Sequence, residues 1–114
     1  MDLLKNLYYT NKIVKEILEE DEHARNSDSY LYLKVLYFIG QAKDIDVNAM
    51  SIADFIMYRK EYGFPSYKTV CRTRRKIQAG HPELAAVDDV EAQRKINERV
   101  YRDYALSKSI KIGE

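Results

Sequence analysis

The sequence has few cysteines, prolines and glycines and no long apolar run, and each shortage argues against one class of structure. Cysteine occurs once, at Cys71, so no disulfide can form within the chain. The longest strongly apolar stretch, residues 30–39, includes Lys34 and is far shorter than the roughly 20 residues that cross a bilayer. With four glycines and two prolines in 114 residues, no polar segment is long enough to serve as a linker. We therefore expect one folded domain spanning residues 1–114.

Charge is balanced over the whole chain, with 19 lysines and arginines against 18 aspartates and glutamates. A net charge of +1 gives no general attraction for nucleic acid or membrane, so any electrostatic signal must lie in how the charges are distributed. The chain opens with Met-Asp-Leu-Leu and lacks the charged and then apolar pattern of a secretory signal. Together with the lone cysteine, this opening predicts a protein of the reducing cytoplasm.

The spacing of apolar side chains predicts two helices in the first part of the chain. Residues 2–20 repeat apolar residues at helical spacing, with lysines on other faces. Residues 29–41 are apolar nearly all round, and periodicity alone does not separate such a segment from a buried strand. The capping candidates Ser27 and Asp28, the length and the absence of a partner strand favour a helix. We expect it to be the central helix, with its tyrosines at the core's edge and their hydroxyl groups in water.

Boundary residues predict three further helices. Residues 51–62 open at Ser51 in a pattern close to a capping box and end at Gly63. Three apolar residues share one face of this helix: Ile52, Phe55 and Ile56. The next helix starts at the capping candidate Ser66 and runs to about residue 79. A long last helix begins at residue 88 or 89 and ends near residue 107. Two acid and base pairs in the last helix have the i,i+4 spacing of helix ion pairs: Glu91 with Lys95, and Glu98 with Arg102.

These elements together predict an all-α fold, a compact bundle of about five helices. Within it, a helix-turn-helix core occupies about residues 28–80. Amphipathic N-terminal and C-terminal helices flank that core, the second of them at about residues 89–107.

Positive charge is concentrated on one of the predicted helices. No acidic residue lies between Tyr62 and Pro82, yet five basic residues do: Lys68, Arg72, Arg74, Arg75 and Lys76. A helical projection gathers an apolar set on one side: Tyr67, Val70, Cys71 and Ile77. Another side collects four cations with two threonines beside them: Lys68, Arg72, Arg75 and Lys76, with Thr69 and Thr73. One face can therefore pack while the other contacts phosphate.

The side chains of this helix suit duplex DNA, whose major groove admits an α-helix. Arginine and lysine donate to guanine, and threonine bonds bases or touches a thymine methyl. Ser66 and Thr69 lie near the helix N-terminus, where backbone amides attract phosphate. The predicted DNA-binding residues are Ser66, Lys68, Thr69, Arg72, Thr73, Arg75 and Lys76. The alternative is a solvated basic face that binds nothing.

The segment before this helix has the composition of a helix-turn-helix. Residues 51–62 and the turn Gly63-Phe64-Pro65 place two helices about four residues apart. Phe64 is a candidate plug between the two helices, while Arg59 and Lys60 are placed to add contacts to the DNA backbone.

Four short motifs resemble small helix-turn-helix-like proteins encoded by phages and prophages of Gram-positive bacteria, over about residues 22–105. The motifs are His23-Ala24-Arg25-Asn26-Ser27-Asp28; Phe64-Pro65-Ser66-Tyr67-Lys68-Thr69-Val70 with Arg72, Arg74 and Arg75-Lys76-Ile77-Gln78; His81-Pro82-Glu83-Leu84; and Tyr101-Arg102-Asp103-Tyr104-Ala105. The resemblance implies a phage-side regulator or accessory factor that binds DNA in the cytoplasm of a bacterial host, with residues 66–78 as the reader. Some such small proteins bind host proteins instead.

Two other functions remain compatible with the sequence. The first is a phage-encoded inhibitor that uses the same basic helix to occupy an acidic surface of a host defence or replication protein. The second is a helical adaptor in replication or packaging. A regulator should shift duplex DNA on its own, whereas an inhibitor should ignore DNA and co-purify with a host protein.

Signals for catalysis, cofactors and metal are weak. No glycine-rich phosphate loop occurs, and the carboxylates at residues 19–22 form a run typical of a solvated helix end. His23 and His81 lie in different loops, which provides no spaced cluster for zinc. Residues 44–48 begin like a calcium loop, but Ala49 and Phe55 stand where glycine and glutamate are needed. We therefore expect no enzyme activity, no cofactor and no metal.

Cys71 and the ten tyrosines each have two interpretations. Neighbouring arginines favour a reactive thiolate at Cys71, but its position beside Val70 favours a small core residue. The tyrosines are able to stack on unpaired bases, although their spacing favours packing. A surplus apolar face on the terminal helices is the basis for a possible homodimer suited to two DNA half-sites. Its aromatic residues are Tyr8, Tyr9, Tyr101 and Tyr104.

Overall fold

The computed structural model describes the backbone of residues 3–112 and the side chains of residues 9–106. In that part of the chain there are six α-helices, two short 3₁₀ turns and no strand, which confirms the all-α prediction. The helices are α1 (Leu3–Glu20), α2 (Glu22–Asn26), α3 (Asp28–Ala42), α4 (Ile52–Tyr62), α5 (Tyr67–Gly80) and α6 (Asp88–Ile112). The 3₁₀ turns are Val47–Ala49 and Pro82–Leu84. The short α2 contains His23, which the sequence predicted to lie in a loop.

Serine caps start three of the helices. The hydroxyl groups of Ser27, Ser51 and Ser66 each accept a hydrogen bond from the backbone N–H three residues ahead, at 3.2, 3.0 and 3.1 Å. Each cap satisfies one of the N–H groups that a helix start leaves without a partner. The predicted starts therefore hold to within one residue, and Ser27 rather than Asp28 caps α3.

The core lies where α1, α3 and α5 meet. Its five largest fully buried side chains are Val14, Leu18, Leu31, Val35 and Val70. Helix α1 therefore belongs to the core and does not merely flank it. Helix α3, although apolar nearly all round in sequence, is not buried all round, because Leu33, Tyr37 and Phe38 are exposed.

The tyrosine hydroxyl groups of α3 donate hydrogen bonds to protein groups, whereas the sequence predicted that they lie in water. Tyr30 donates to the Asp21 carboxylate at 2.7 Å and Tyr37 to the Asn48 side chain at 2.6 Å. Tyr32 donates to the Pro65 carbonyl at 2.8 Å, which ties α3 to the connection between α4 and α5. The bond to Asp21 also lowers the pKa of that carboxyl group.

Helix α4 packs through few side chains. None of them is buried, and Ile52 and Ile56, predicted to share one face with Phe55, are 79% and 69% exposed. Of these three residues only Phe55 is half-buried, with its ring centroid 6.3 Å from that of Tyr32. The predicted face therefore does not form part of the core.

The molecule is less compact than predicted because α6 extends away from it. Its radius of gyration is 16.3 Å, against about 13 Å for a compact chain of this length. The described side chains of residues 95–106 are all exposed. The predicted i,i+4 pairs do not form: Glu91 lies 3.8 Å from Arg94, and Glu98 lies 3.5 Å from Arg75.

Gly63 ends α4 in the left-handed conformation, with φ of 82°. Its N–H bonds to the Lys60 carbonyl and the next N–H, of Phe64, bonds to the Arg59 carbonyl, both at 3.1 Å. These two hydrogen bonds form a Schellman cap, in which glycine is favoured because it has no Cβ. A Cβ at Gly63 would also collide with the Lys43 ammonium group, which bonds to the Tyr62 carbonyl at 2.8 Å.

We expect Gly63→Ala to lower the free energy of unfolding by about 1–2 kcal/mol, the cost of a left-handed residue with a Cβ. Gly80→Ala is the matched control. Gly80 ends α5 without a positive φ and a Cβ there meets open space, so alanine should stabilise by about 0.4–1 kcal/mol. Urea unfolding followed by circular dichroism measures both variants. Equal effects of the same sign would refute this account of the connection.

Candidate nucleic-acid interface

Four cations on α5 share one exposed side of the helix. At about 100° per residue, Lys68, Arg72, Arg75 and Lys76 span an arc of roughly 100°, and all four are exposed. The opposite side holds the buried residues Val70, Arg74, Ile77 and Gln78. The structure thus brings together the four cations that the sequence assigned to the site. Tyr67, assigned to the packed side, is half exposed and meets the Tyr32 ring edge-on at 5.4 Å.

The three hydroxyl residues of the predicted site are engaged within their own helix. Ser66 accepts from the Thr69 N–H and donates to the Thr69 hydroxyl at 2.9 Å. Thr73 donates to the Thr69 carbonyl at 2.8 Å. All three are half-buried, so they shape and cap the start of α5 while the cations extend into solvent.

Arg75 lies at the edge of the basic arc, where α6 runs past α5. Its guanidinium is 3.5 Å from the Glu98 carboxylate, and the two side chains are 59% and 50% exposed. An exposed pair of this kind contributes only about 0.2–1 kcal/mol. Lys68, Arg72 and Lys76 have no acidic side chain within 4 Å among the described residues. The unopposed part of the arc is therefore the row of Lys68, Arg72 and Lys76.

Arg74 belongs to the core although it lies among these cations in sequence. Its guanidinium holds the Asp28 carboxylate at two points, 2.9 and 3.2 Å. Arg94 of α6 approaches the same carboxylate at 3.5 Å. Burial, and then the charge of Arg74, lowers the pKa of Arg94. One carboxylate thus compensates two largely buried guanidinium groups and joins α3, α5 and α6.

Gln78 completes this polar cluster. Its side-chain oxygen accepts from Arg74 at 3.2 Å and from Arg94 at 3.3 Å. Its amide group donates to the carbonyls of Leu84 and Arg25, at 2.9 and 3.3 Å. No described buried side-chain polar atom lacks a partner, so the cluster fixes the rotation of α5 about its own axis. On the helical projection Arg74 lies on the same side as the buried Val70. A cation on an apolar helix face is the one sequence signal that would have indicated a buried ion pair, because charged residues are rarely buried without a partner.

The connection between α4 and α5 is held from both sides. Phe64 is buried, as a plug should be, with ring centroids 6.1 Å from Phe55 and 6.0 Å from Tyr62. Arg59, predicted to contact a DNA backbone, donates instead to the Phe64 carbonyl at 2.9 Å. Lys60 remains exposed. Of the two cations predicted on α4, therefore, only Lys60 extends freely into solvent.

Cys71 lies half-buried beside Val70. Burial raises the pKa of its thiol, and the nearby Asp28 carboxylate raises the pKa further. The thiol is therefore protonated near neutral pH, and a protonated thiol is a poor nucleophile. These surroundings favour the packing interpretation of Cys71.

In the part of the chain that the structure describes, no three His, Cys, Asp or Glu side chains are grouped to hold a metal ion. The residues that begin like a calcium loop serve local structure, since Asp46 accepts from the Asn48 N–H at 3.1 Å. No described helix is both long and apolar enough to cross a membrane. Comparisons with protein-family models, curated proteins and solved structures give no match.

Proposed function

We propose that this protein binds duplex DNA with α5 and acts as a phage-type transcriptional regulator. The observation that carries the proposal is the unopposed row of Lys68, Arg72 and Lys76. These cations are spaced one turn apart and extend over about 12 Å of helix, comparable to the about 12 Å width of the major groove. Lysine and arginine on such a face release counterions from DNA phosphates, which supplies most non-specific affinity.

The packing of α5 supports this proposal. Arg74 and Gln78 hold the helix from behind through the bonds to Asp28 and Arg25. A reader helix needs a fixed rotation because a small rotation would move its side chains away from base edges. The basic row can therefore meet DNA without first being ordered, which lowers the entropic cost of binding.

In the proposed complex, α4 and α5 form the helix-turn-helix and α5 enters the major groove N-terminus first. The first-turn amides of α5, next to the Ser66 cap, are then available to a phosphate. Lys60 lies on the preceding helix and is exposed, so it is placed to add a backbone contact. Lys68 and Arg72 are the side chains that we expect nearest to the bases.

A second function is favoured by one observation, the exposed apolar side of α4. Ile52, Ile56 and Met57 are 69–79% exposed, and a phosphate backbone makes no use of such side chains. They suit a protein partner whose acidic surface binds α5 while an apolar patch covers α4. A phage-encoded inhibitor of a host defence or replication protein would combine these two contacts.

The deciding experiment is fluorescence anisotropy of a labelled random duplex, titrated with the protein at several salt concentrations. We expect log K to fall with log salt at a slope of about −3, because three cations each neutralise about one phosphate. Arg72→Ala with Arg75→Ala should weaken binding, whereas Arg102→Ala on α6 is the control with unchanged binding.

Absence of binding at low salt, together with recovery of a host protein by the wild type but not by Ile56→Asp, would establish the inhibitor function and reject the regulator. A helical adaptor would give neither signal.

A further inference from the structure

The side chain of Tyr32 on α3 contacts α4, α5 and the connection between them. Its hydroxyl group donates a hydrogen bond to the Pro65 carbonyl at 2.8 Å. Its ring lies edge-on to Phe55 of α4, with centroids 6.3 Å apart, and edge-on to Tyr67 of α5, with centroids 5.4 Å apart. Both separations fall within the range of favourable aromatic pairs. One residue therefore joins all three parts of the proposed helix-turn-helix.

Helix α4 depends on contacts of this kind because none of its side chains is buried. The Tyr62 ring packs on Phe64, which holds α4 to its own connection and not to the rest of the fold. Exposed Lys43 bonds to the Tyr62 carbonyl, and water can replace an exposed bond of that type. The ring pair of Phe55 and Tyr32 joins α4 to α3, and the directional bond from the Tyr32 hydroxyl to the connection limits how far that pair can slide.

Helix α5 does not depend on Tyr32 in the same way. The buried cluster around Asp28 fixes its rotation through Arg74 and Gln78. Loss of the Tyr32 bond would therefore leave α5 in place and let α4 shift against it. Lys60 on α4 is exposed and has no acidic side chain within 4 Å among the described residues. How α4 is held thus sets where Lys60 lies relative to a duplex in contact with α5.

We infer that Tyr32 is a positioning residue of the proposed DNA interface, which holds α4 at the angle that brings Lys60 to a phosphate while α5 lies in the groove. This inference rests on the proposed DNA binding, in which the first helix of the pair crosses the DNA backbone. The Tyr32 hydroxyl acts through Lys60, since its own hydrogen bond is directed to Pro65. Burial raises the pKa of that hydroxyl, so it stays protonated and able to donate near neutral pH.

A double-mutant cycle between Tyr32→Phe and Lys60→Ala tests the inference, with the anisotropy of the labelled duplex as the measurement. Phenylalanine keeps the ring and removes only the hydroxyl. In the wild type, Lys60→Ala should weaken binding by at least about threefold and make the slope of log K against log salt less negative by about 0.9, the loss of one phosphate contact. In Tyr32→Phe, the same substitution should change the affinity by less than about twofold, the usual error of additivity.

Two controls separate positioning from a general loss of the fold. Arg72→Ala should weaken binding by the same factor in the wild type and in Tyr32→Phe, because α5 is held independently. Tyr30→Phe removes another hydroxyl bond of α3, to Asp21 at 2.7 Å, and should leave the effect of Lys60→Ala unchanged. A fold that was merely destabilised would lower every affinity by a common factor and keep the effect of Lys60→Ala intact.

Hydrogen exchange of the full chain adds a measurement that needs no DNA. The backbone N–H groups of α4 should exchange several-fold faster in Tyr32→Phe than in the wild type, while those of α5 keep their rates, because only α4 opens more easily. Unchanged exchange in α4, or an equal effect of Lys60→Ala with and without the Tyr32 hydroxyl, would overturn the inference and leave DNA binding through α5 intact. A wild type that binds no duplex at low salt would overturn the inference and the proposed function together.

Discussion

Replacing Asp28 by alanine is expected to lower the free energy of unfolding by about 3–5 kcal/mol, the cost of leaving buried charge without its partner. Asp28 holds Arg74 at two points and Arg94 at 3.5 Å, and both guanidinium groups are largely buried. Removing the carboxylate leaves two adjacent positive charges to repel each other. Urea unfolding followed by circular dichroism measures the change, and the unaltered Ser27 cap limits the loss of α3 itself.

The matched test replaces the whole charge cluster. The attraction within a buried ion pair barely exceeds the free energy lost when its charges leave water. The triple variant Asp28→Ala, Arg74→Met and Arg94→Met should therefore be more stable than Asp28→Ala alone. A control at the exposed Asp54, Asp54→Ala, should change stability by less than about 0.5 kcal/mol, as surface substitutions do. If Asp28→Ala were no worse than this control, the ion pairs of Asp28 would contribute nothing measurable to the stability of the fold.

The second large effect is expected in DNA binding. Arg72→Ala should weaken duplex binding by about 1–3 kcal/mol, roughly 5- to 150-fold, the cost of removing one bidentate arginine contact. Arg75→Ala should cost less, because Arg75 must leave Glu98, 3.5 Å away, before it can bind DNA. Anisotropy at fixed salt separates the two variants.

Glu98→Gln provides a test of opposite sign. Freeing Arg75 from the Glu98 carboxylate should strengthen duplex binding. The slope of log K against log salt should become more negative by up to about 0.9, the value for one additional phosphate contact. Circular dichroism should show the same helix content in all of these variants, since the side chains concerned are exposed. Wild-type affinity in Arg72→Ala would mean that a face other than the basic arc contacts DNA.

Much of the local structure could be predicted because its causes are local. The serine caps and the left-handed Gly63 depend on bonds between residues three to five positions apart, which a sequence displays directly. The exposed basic arc of α5 is likewise a property of one helix, and Lys68, Arg72, Arg75 and Lys76 were therefore found together.

What could not be predicted depends on contacts between distant residues. Arg74 is separated from Asp28 by 46 positions and Arg94 from Asp28 by 66, so the cluster that orients α5 has no sequence period. Similarly, the apolar pattern of α4 places Ile52, Phe55 and Ile56 on one face, but nothing local reveals that Ile52 and Ile56 remain in solvent. The sequence assigned Arg59 to a DNA contact. Its hydrogen bond to the Phe64 carbonyl depends on how the connection between α4 and α5 folds back, which the sequence does not display.

The long separations in the Asp28 cluster also have a kinetic consequence. Contacts that close long loops form late, because the entropy of closing the chain must be lost before they contribute. Arg94 bonds to the Arg25 carbonyl, 69 positions earlier, so this cluster is complete only after most of the chain has left the ribosome. During synthesis, α5 would emerge as a basic helix without a fixed orientation. Any DNA binding by α5 would therefore have to wait until Arg94 has joined the cluster.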